Sequence, residues 1–321
     1  MDAPLLKITV SIATPSYNQL DWLGLCIRSV ADQCSPAVSD APLAQCNVEH
    51  LIFDGGSKDI QAFCQSLRAF FSGLPCATFV DSLDPHELLH VRMHDSYNLR
   101  LFSEGDHGMY DAINKCFSKG TGQIFAWLNS DEQLLPGTVG IVADYFTRNP
   151  STDVVVGDAI LLDRSHQPLT YRRIIRPNRW HTKLDHLHSL SCSMFFRRAS
   201  LPAEGLDTRW KIISDALLMD HFLGSGMRID ALRIPLAVYH FTGSNLSEKS
   251  RADAEMHTWW AETRFPPRWL RPVAVALHRL ARLAAGSFKQ RLAEVRIYTS
   301  SDLNRRQLFT KTVGGTWPEP S

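Results

Sequence analysis

The 321-residue sequence has no run of about 18 uncharged apolar residues, so nothing in it reads as a membrane-spanning helix. It has no excess of either charge: 34 Lys and Arg against 33 Asp and Glu leave +1. That balance excludes a general polyanion binder, and no nucleic-acid partner is expected. It has no paired cysteine motif. Seven cysteines stand at 26, 34, 46, 64, 76, 116 and 192, none as C-x-x-C, and their number is odd. This argues against a disulfide framework or a cysteine zinc site and reads as reduced thiols in a cytoplasmic protein. The opening "MDAPLLKITVSIA" lacks a basic n-region, so no secretory signal is expected. No internal repeat or low-complexity segment occurs. Neither G-x-G-x-x-G nor G-x-x-x-x-G-K-[ST] follows any apolar run, which disfavours dinucleotide oxidoreductases and P-loop phosphate binders.

What is present is a β-α-β-α order. "KITVSIATPSYN" is a β-branched run ending in a turn, and "LDWLGLCIRSVADQ" follows with Leu20, Leu23, Ile27 and Val30 at helical spacing. "VEHLIFDGGSKD" repeats the apolar strand and "IQAFCQSLRAFF" the helix. Further on, "YDAINKCFSKG" and "LLPGTVGIVADYFTRNP" read as helices, "QIFAWLN" and "DVVVGDAILLD" as strands. The order predicts an α/β fold, a Rossmann-type, mostly parallel sheet flanked by helices. Residues 35–47 and 81–96 read as variable loops. After residue 250 the character changes. Leu270, Val273, Leu277, Leu280, Ala284, Phe288, Leu292 and Val295 form one stripe at helical spacing, which predicts a basic amphipathic helix over about 270–297. From Arg264 to Arg296 eight Lys and Arg face one acid, Glu294. Two readings stand: a peripheral contact with an anionic membrane, or a helix packing its stripe on the core or on another subunit.

In open parallel sheets ligands bind outside the carboxyl ends of the strands. Polar residues gather at those ends here: Thr14 to Asn18, Asp54 to Ser57, and Asn129 to Glu132. Acids directly after a buried strand are costly unless a partner uses their charge. Alone, Asp54 reads as an Asx-turn, and Asp131 with Glu132 as acids at a helix start.

Taken together, "TPSYN", "DGGSKD", "SEGDHGMYDAINK" and "LNSDE" resemble the family 2, GT-A fold glycosyltransferases, over about residues 8 to 245. The resemblance implies a GT-A-like domain over 1–250, with a nucleotide-sugar half to about 135 and an acceptor half from 136, and a helical C-terminal extension over 251–321. It implies an enzyme moving a sugar from a nucleotide-sugar donor, of UDP type, to a glycan or lipid-linked acceptor with inversion, in surface polysaccharide or glycolipid synthesis. Such an enzyme would work in the cytoplasm, at the inner face of the membrane. Pro15, Tyr17, Asp54, Ser57, Glu104, Asp106, Asp111, Asn129 and Ser130 would border the nucleotide sugar, with Asn114 and Lys115 on the helix behind. Asp131 would ligate Mg²⁺ or Mn²⁺, and His240 would reach the metal or the diphosphate, with Lys249 near phosphate. His188 would line the acceptor side. Asp215 would be the catalytic base. The sequence departs from the family pattern in two places: Asn129 stands where an acid is usual, and Ala216 and Leu217 follow Asp215. A non-catalytic nucleotide-sugar-binding or membrane-recruited module is the alternative. A nucleotidyltransferase is disfavoured, because "TPSYNQ" has neither glycine nor a basic residue for a triphosphate.

Overall fold

In the computed structural model, residues 7–34, 46–74, 77–93, 96–242, 249–264 and 266–318 are described. Most of the 35–47 loop and residues 243–248 of the expected glycine-rich loop lie outside them, as does the Lys249 side chain. The first strand, β1 (Thr9–Ser16), and its helix α1 (Leu20–Ala31) are followed by β2 (Asn47–Asp54) and α2 (Ile60–Ser72). Both strands are buried almost throughout, as their apolar runs require when helices cover both faces. An edge strand, β3 (Ala77–Phe79), and its neighbour β4 (Glu87–Met93) lead to β5 (Tyr97–Ser103), α3 (Met109–Lys119) and β6 (Ile124–Trp127). The parallel order β5-β2-β1-β6 forms the centre of the sheet. Ser16 lies opposite Asp54, and Asp54 opposite Ser103, so the carboxyl ends of these strands share one rim.

Beyond β6 the sheet becomes mixed. A short β7 (Glu132–Leu134), α4 (Thr138–Arg148), β8 (Val154–Leu162), β9 (Pro168–Arg172), α5 (Arg179–Leu184), β10 (Met194–Arg197), α6 (Ser214–Gly224) and β11 (Ile229–His240) complete it. The strands continue in the order β6-β10-β8-β11-β7, with only β8 and β11 parallel and β9 attached to β8. The α/β architecture expected from the sequence is the one observed, with a parallel centre and antiparallel flanks.

Three local readings are corrected. Residues 81–96 are not all loop: β4 pairs antiparallel with β5. Its Leu89 and Val91 are buried in alternation with His90 and Arg92, and the polar members hid the strand. Arg100 holds Glu87 across the pair through Nε at 2.7 Å and a second nitrogen at 2.8 Å. Glu132 does not begin a helix; it opens β7, and α4 starts later, at Thr138.

The third correction concerns the C-terminus. After α7 (Lys249–Thr263), the amphipathic helix α8 spans only Arg271–Ala284. The chain then turns at Gly286 and forms a hairpin of β12 (Arg291–Thr299) and β13 (Asp302–Val313). In β12, Ala293, Val295 and Ile297 are buried with a period of two, against Ile160, Leu162 and Val238 of the main sheet. Leu292 and Val295 fit a helical stripe by coincidence of spacing. The hairpin is bolted to the strand behind the acidic turn: Gln133 Nε2 donates to the Tyr298 carbonyl and Tyr298 N to Gln133 Oε1, both at 2.9 Å. Arg306 adds a buried two-pronged pair with Asp32, at 2.6 and 2.7 Å.

Candidate active site

A cleft of about 580 Å³ opens on the rim where the parallel strands end. Pro15 and Tyr17 reach it from the end of β1, Asn129 to Glu132 from the end of β6, Asp106 from the turn before α3, and Asp215 from the first turn of α6. Segments separated by up to 200 residues in the chain thus meet at one surface. Tyr17 is 64% exposed, an aromatic face presented to solvent beside buried acids.

Asp54 has a different task. It is fully buried, and its carboxylate accepts from Gly56 N at 3.0 Å, Ser57 N at 2.7 Å, Ser103 Oγ at 3.1 Å and the Ser57 hydroxyl. Ser57 Oγ in turn accepts from Asn18 N at 2.7 Å. Asp54 and Ser57 therefore shape the rim from behind, and neither lines the cleft. The turn needs glycine at 55: a Cβ there would sit 2.7 Å from Asp106 Oδ2 and 3.3 Å from the Tyr17 ring. Asp106 is fixed by accepting from Gly108 N at 2.8 Å. Glu104 and Asp111 also lie outside the cleft lining and both hold Lys115, at 3.1 and 3.5 Å.

The acidic turn is unusual electrostatically. Asp131 and Glu132 are both buried, and burial raises both pKa values; the Asp131 charge raises Glu132 further. Glu132 accepts from Asn129 N at 2.8 Å, while the buried Asn129 Oδ1 has no hydrogen-bond partner among the described residues. An oxygen-rich corner with crowded carboxylates and an orphaned amide oxygen fits a hard divalent cation. Ser130 Oγ donates to Gln19 Oε1 at 2.6 Å, closing the corner toward α1.

His240 backs this turn and does not line the cleft. Its Nδ1 is 2.9 Å from the Asp131 carbonyl oxygen, its Nε2 3.2 Å from His166 Nδ1, and its ring packs on Trp22. Burial drives its pKa down to about 4, so the ring is neutral. With both ring nitrogens engaged by protein atoms, His240 props the acidic turn. His188 is likewise buried. Its carbonyl accepts from Arg172 at 3.3 and 3.4 Å, and burial, then Arg172, lowers its pKa. Leu190 and Ser191, just beyond it, line the cleft instead.

Asp215 keeps a partly exposed edge in the cleft, yet the protein packed around it raises its pKa to about 6. Its Oδ1 accepts from Ala216 N at 2.8 Å. The loop before it is held by Tyr110, whose hydroxyl donates to the Ile212 carbonyl at 2.7 Å, and by Glu255 of α7, which accepts from three successive backbone amides, Lys211 to Ile213, at 3.0 to 3.2 Å. A carboxyl group on a pinned loop, with its pKa near the working range, is suited to take a proton.

Several lining residues were not singled out in the sequence: Gln19, Tyr110, Lys211, Tyr239 and Trp317. Trp317 comes from beyond the hairpin. It is tethered by Thr170 Oγ1 donating to the Thr316 carbonyl at 2.7 Å and by Tyr171 N donating to Gly314 O at 3.0 Å. Its ring packs edge-on against Phe241 at 5.6 Å. Nothing in local pattern could have signalled it.

Among the described residues, one group has metal-ligating spacing: His181, Asp185 and His186. None of the three lines the cleft, and Asp185 already takes a donor from Arg271 at 2.8 Å.

The profile described as "Glycosyl transferase family 2" matches residues 87–204. Solved structures share the fold. Staphylococcus aureus TarS 1–349 in complex with UDP-GlcNAc matches at 14% identity and TM-score 0.53, over 86% of this chain and 73% of that one. The mannosyltransferase PcManGT from Pyrobaculum calidifontis, in complex with GDP-Man and Mn²⁺, matches at 15% identity and TM-score 0.51, over 87% and 71%. Against TarS 1–349 in complex with UDP the values are 16% and 0.48, and this chain, matched over 73% of its length, spans 60% of that one. No curated protein matches the sequence.

Proposed function

We propose that this chain, which carries a glycosyl transferase family 2 segment over residues 87–204 on a GT-A-type sheet, moves a sugar from a nucleotide-sugar donor to an acceptor hydroxyl. The observation that carries the reading is the convergence of Tyr17, Asp131 and Asp215, from three distant segments, on one cleft. Tyr17 packs on the nucleotide base, with Pro15 and Asp106 beside it. Asp215 takes the proton from the acceptor oxygen as that oxygen bonds to the anomeric carbon. The bond from that carbon to the diphosphate oxygen breaks, and its electron pair leaves with the nucleoside diphosphate. One displacement inverts the configuration and needs a single carboxylate base, a contribution of roughly 10²–10⁴-fold. Mg²⁺ or Mn²⁺, held by Asp131 with Asn129 beside it, would supply charge neutralisation at the departing diphosphate. PcManGT was solved with GDP-Man and Mn²⁺ and TarS with UDP-GlcNAc, which supports a nucleotide-sugar donor and a divalent cation here; the UDP type is part of this proposal. The acceptor is a growing surface glycan or glycolipid, and the five described cysteines, all buried and unpaired, support a cytoplasmic setting.

Asn129 in place of an acid favours one other reading, a binding module without turnover. A panel of sugar nucleotides screened by thermal shift with Mn²⁺ finds the donor, since a ligand of the folded state alone raises its apparent stability. Release of nucleoside diphosphate is then followed. The transferase reading predicts release that rises when acceptor glycan is added. Stabilisation without release under any acceptor would support the binding module.

A further inference from the structure

Independently of the transfer reaction, we infer that the outward face of α8 docks on an anionic lipid surface. At about 100° per residue the helix divides cleanly. Arg271, Ala274, His278, Arg282 and Ala285 fall on one side, which faces the protein. Ala274 and His278 are buried, and the His278 ring stacks on His181 with centroids 3.5 Å apart. Arg271 donates to Asp185 and Arg282 to the Gly315 carbonyl, both at 2.8 Å. These polar ties fix the rotation of the helix about its axis. The opposite side is an apolar ridge of Trp269, Val273, Leu277, Leu280 and Leu283, and it lies in solvent; Trp269 is 75% exposed, Leu277 63% and Leu280 60%. The inner side is anchored by buried Ala274 and His278 and the apolar ridge is bare, so the part of the stripe that α8 carries does not pack on this chain's own core.

Charge selects the occupant. Arg279 stands on the helix, Arg264, Arg268 and Lys289 stand just beyond its ends, and no Asp or Glu occurs between 264 and 293. Packing two such ridges together would set arginine against arginine, so a second copy is disfavoured, while acidic headgroups complement these basic residues. Fourteen residues make a helix of roughly 21 Å, too short to cross a bilayer, and among the described residues no helix is long and apolar enough to do so. The geometry is that of a helix lying in the interface plane, with a tryptophan at its leading end.

The test is co-sedimentation of the full chain with vesicles of phosphatidylcholine alone or mixed with phosphatidylglycerol, alongside light scattering without lipid. The wild-type chain should sediment with the mixed vesicles, weakly with the neutral ones, and less as salt is raised. Leu277→Glu with Leu280→Glu should lower partitioning at least about tenfold and leave thermal unfolding unchanged, because both side chains are exposed. Arg279→Gln with Lys289→Gln should lower it less and flatten the salt dependence. Absence of wild-type binding to mixed vesicles, or binding indifferent to the glutamates, overturns the inference. A lipid-free dimer that the glutamates dissociate overturns it in favour of self-association, and a lowered Tm in the glutamate variant overturns the claim that the ridge is bare.

Discussion

The cleft and the terminal helix break the inside–outside rule in opposite ways. The cleft buries two acids, Asp131 and Glu132, and exposes a tyrosine; α8 buries a histidine and exposes leucines. Ordinary folding would reverse both arrangements. In each place the chain leaves incomplete what something outside it could complete, a cation and diphosphate in the cleft and headgroups with acyl chains at the ridge. The difference lies in how each is held. The cleft is braced by directional hydrogen bonds through Asp54, Glu255 and His240, so geometry is kept at a cost in buried charge. The ridge is braced only from behind, by His278 and Arg271, and its outer face carries no structural duty.

That contrast can be broken by substitution. The largest effect is expected at Asp215→Asn, which should reduce transfer by at least about 10²-fold while nucleotide affinity stays within a factor of about two; a normal turnover rate would remove Asp215 as the base. The wild-type kcat/KM should fall as pH drops through about 6, where the Asp215 carboxylate takes up its proton. Its folded pKa lies above the unfolded one, so ionising it weakens the fold as pH rises through about 6. Asp215→Asn should therefore raise Tm on the alkaline side and leave it unchanged well below pH 4, a gain in stability bought with activity.

Next in size is Asp54→Ala, which deprives buried donors of their acceptor and should cost about 3 kcal/mol in chemical denaturation. If Asp54 instead contacts the nucleotide, stability will hold and donor affinity will drop. Smallest is Trp317→Ala, expected to weaken ligand binding in the cleft by about 1 kcal/mol with little change in Tm, since the ring is half-exposed.

Much of the parallel centre was legible because buried strands are long apolar runs and the helices between them keep their period. The strand ends named the cleft for the same reason: Tyr17, Asn129 and Asp131 stand where apolar runs stop. Direction was not legible. Asp54 and His240 occupy equivalent strand ends, yet their side chains turn back into the fold, where hydrogen bonds to Ser57 N and to the Asp131 carbonyl outcompete solvent. Nor was the hairpin legible, because Leu292 and Val295 share a helical stripe by spacing, although in β12 they lie on opposite faces, Leu292 exposed and Val295 buried; only Gly286 and the partner strand β13 decide the matter. Trp317 depends on a tertiary tether and has no local sign at all.

The central claim, a cation gripping a diphosphate at Asp131, is tested most directly by calorimetric titration of uridine diphosphate into the wild-type chain and Asp131→Ala, with Mn²⁺ and with chelator. The account predicts binding to the wild type with Mn²⁺ and at least about a tenfold loss on chelation or on removal of the carboxylate. Binding of equal strength in all four conditions would contradict it.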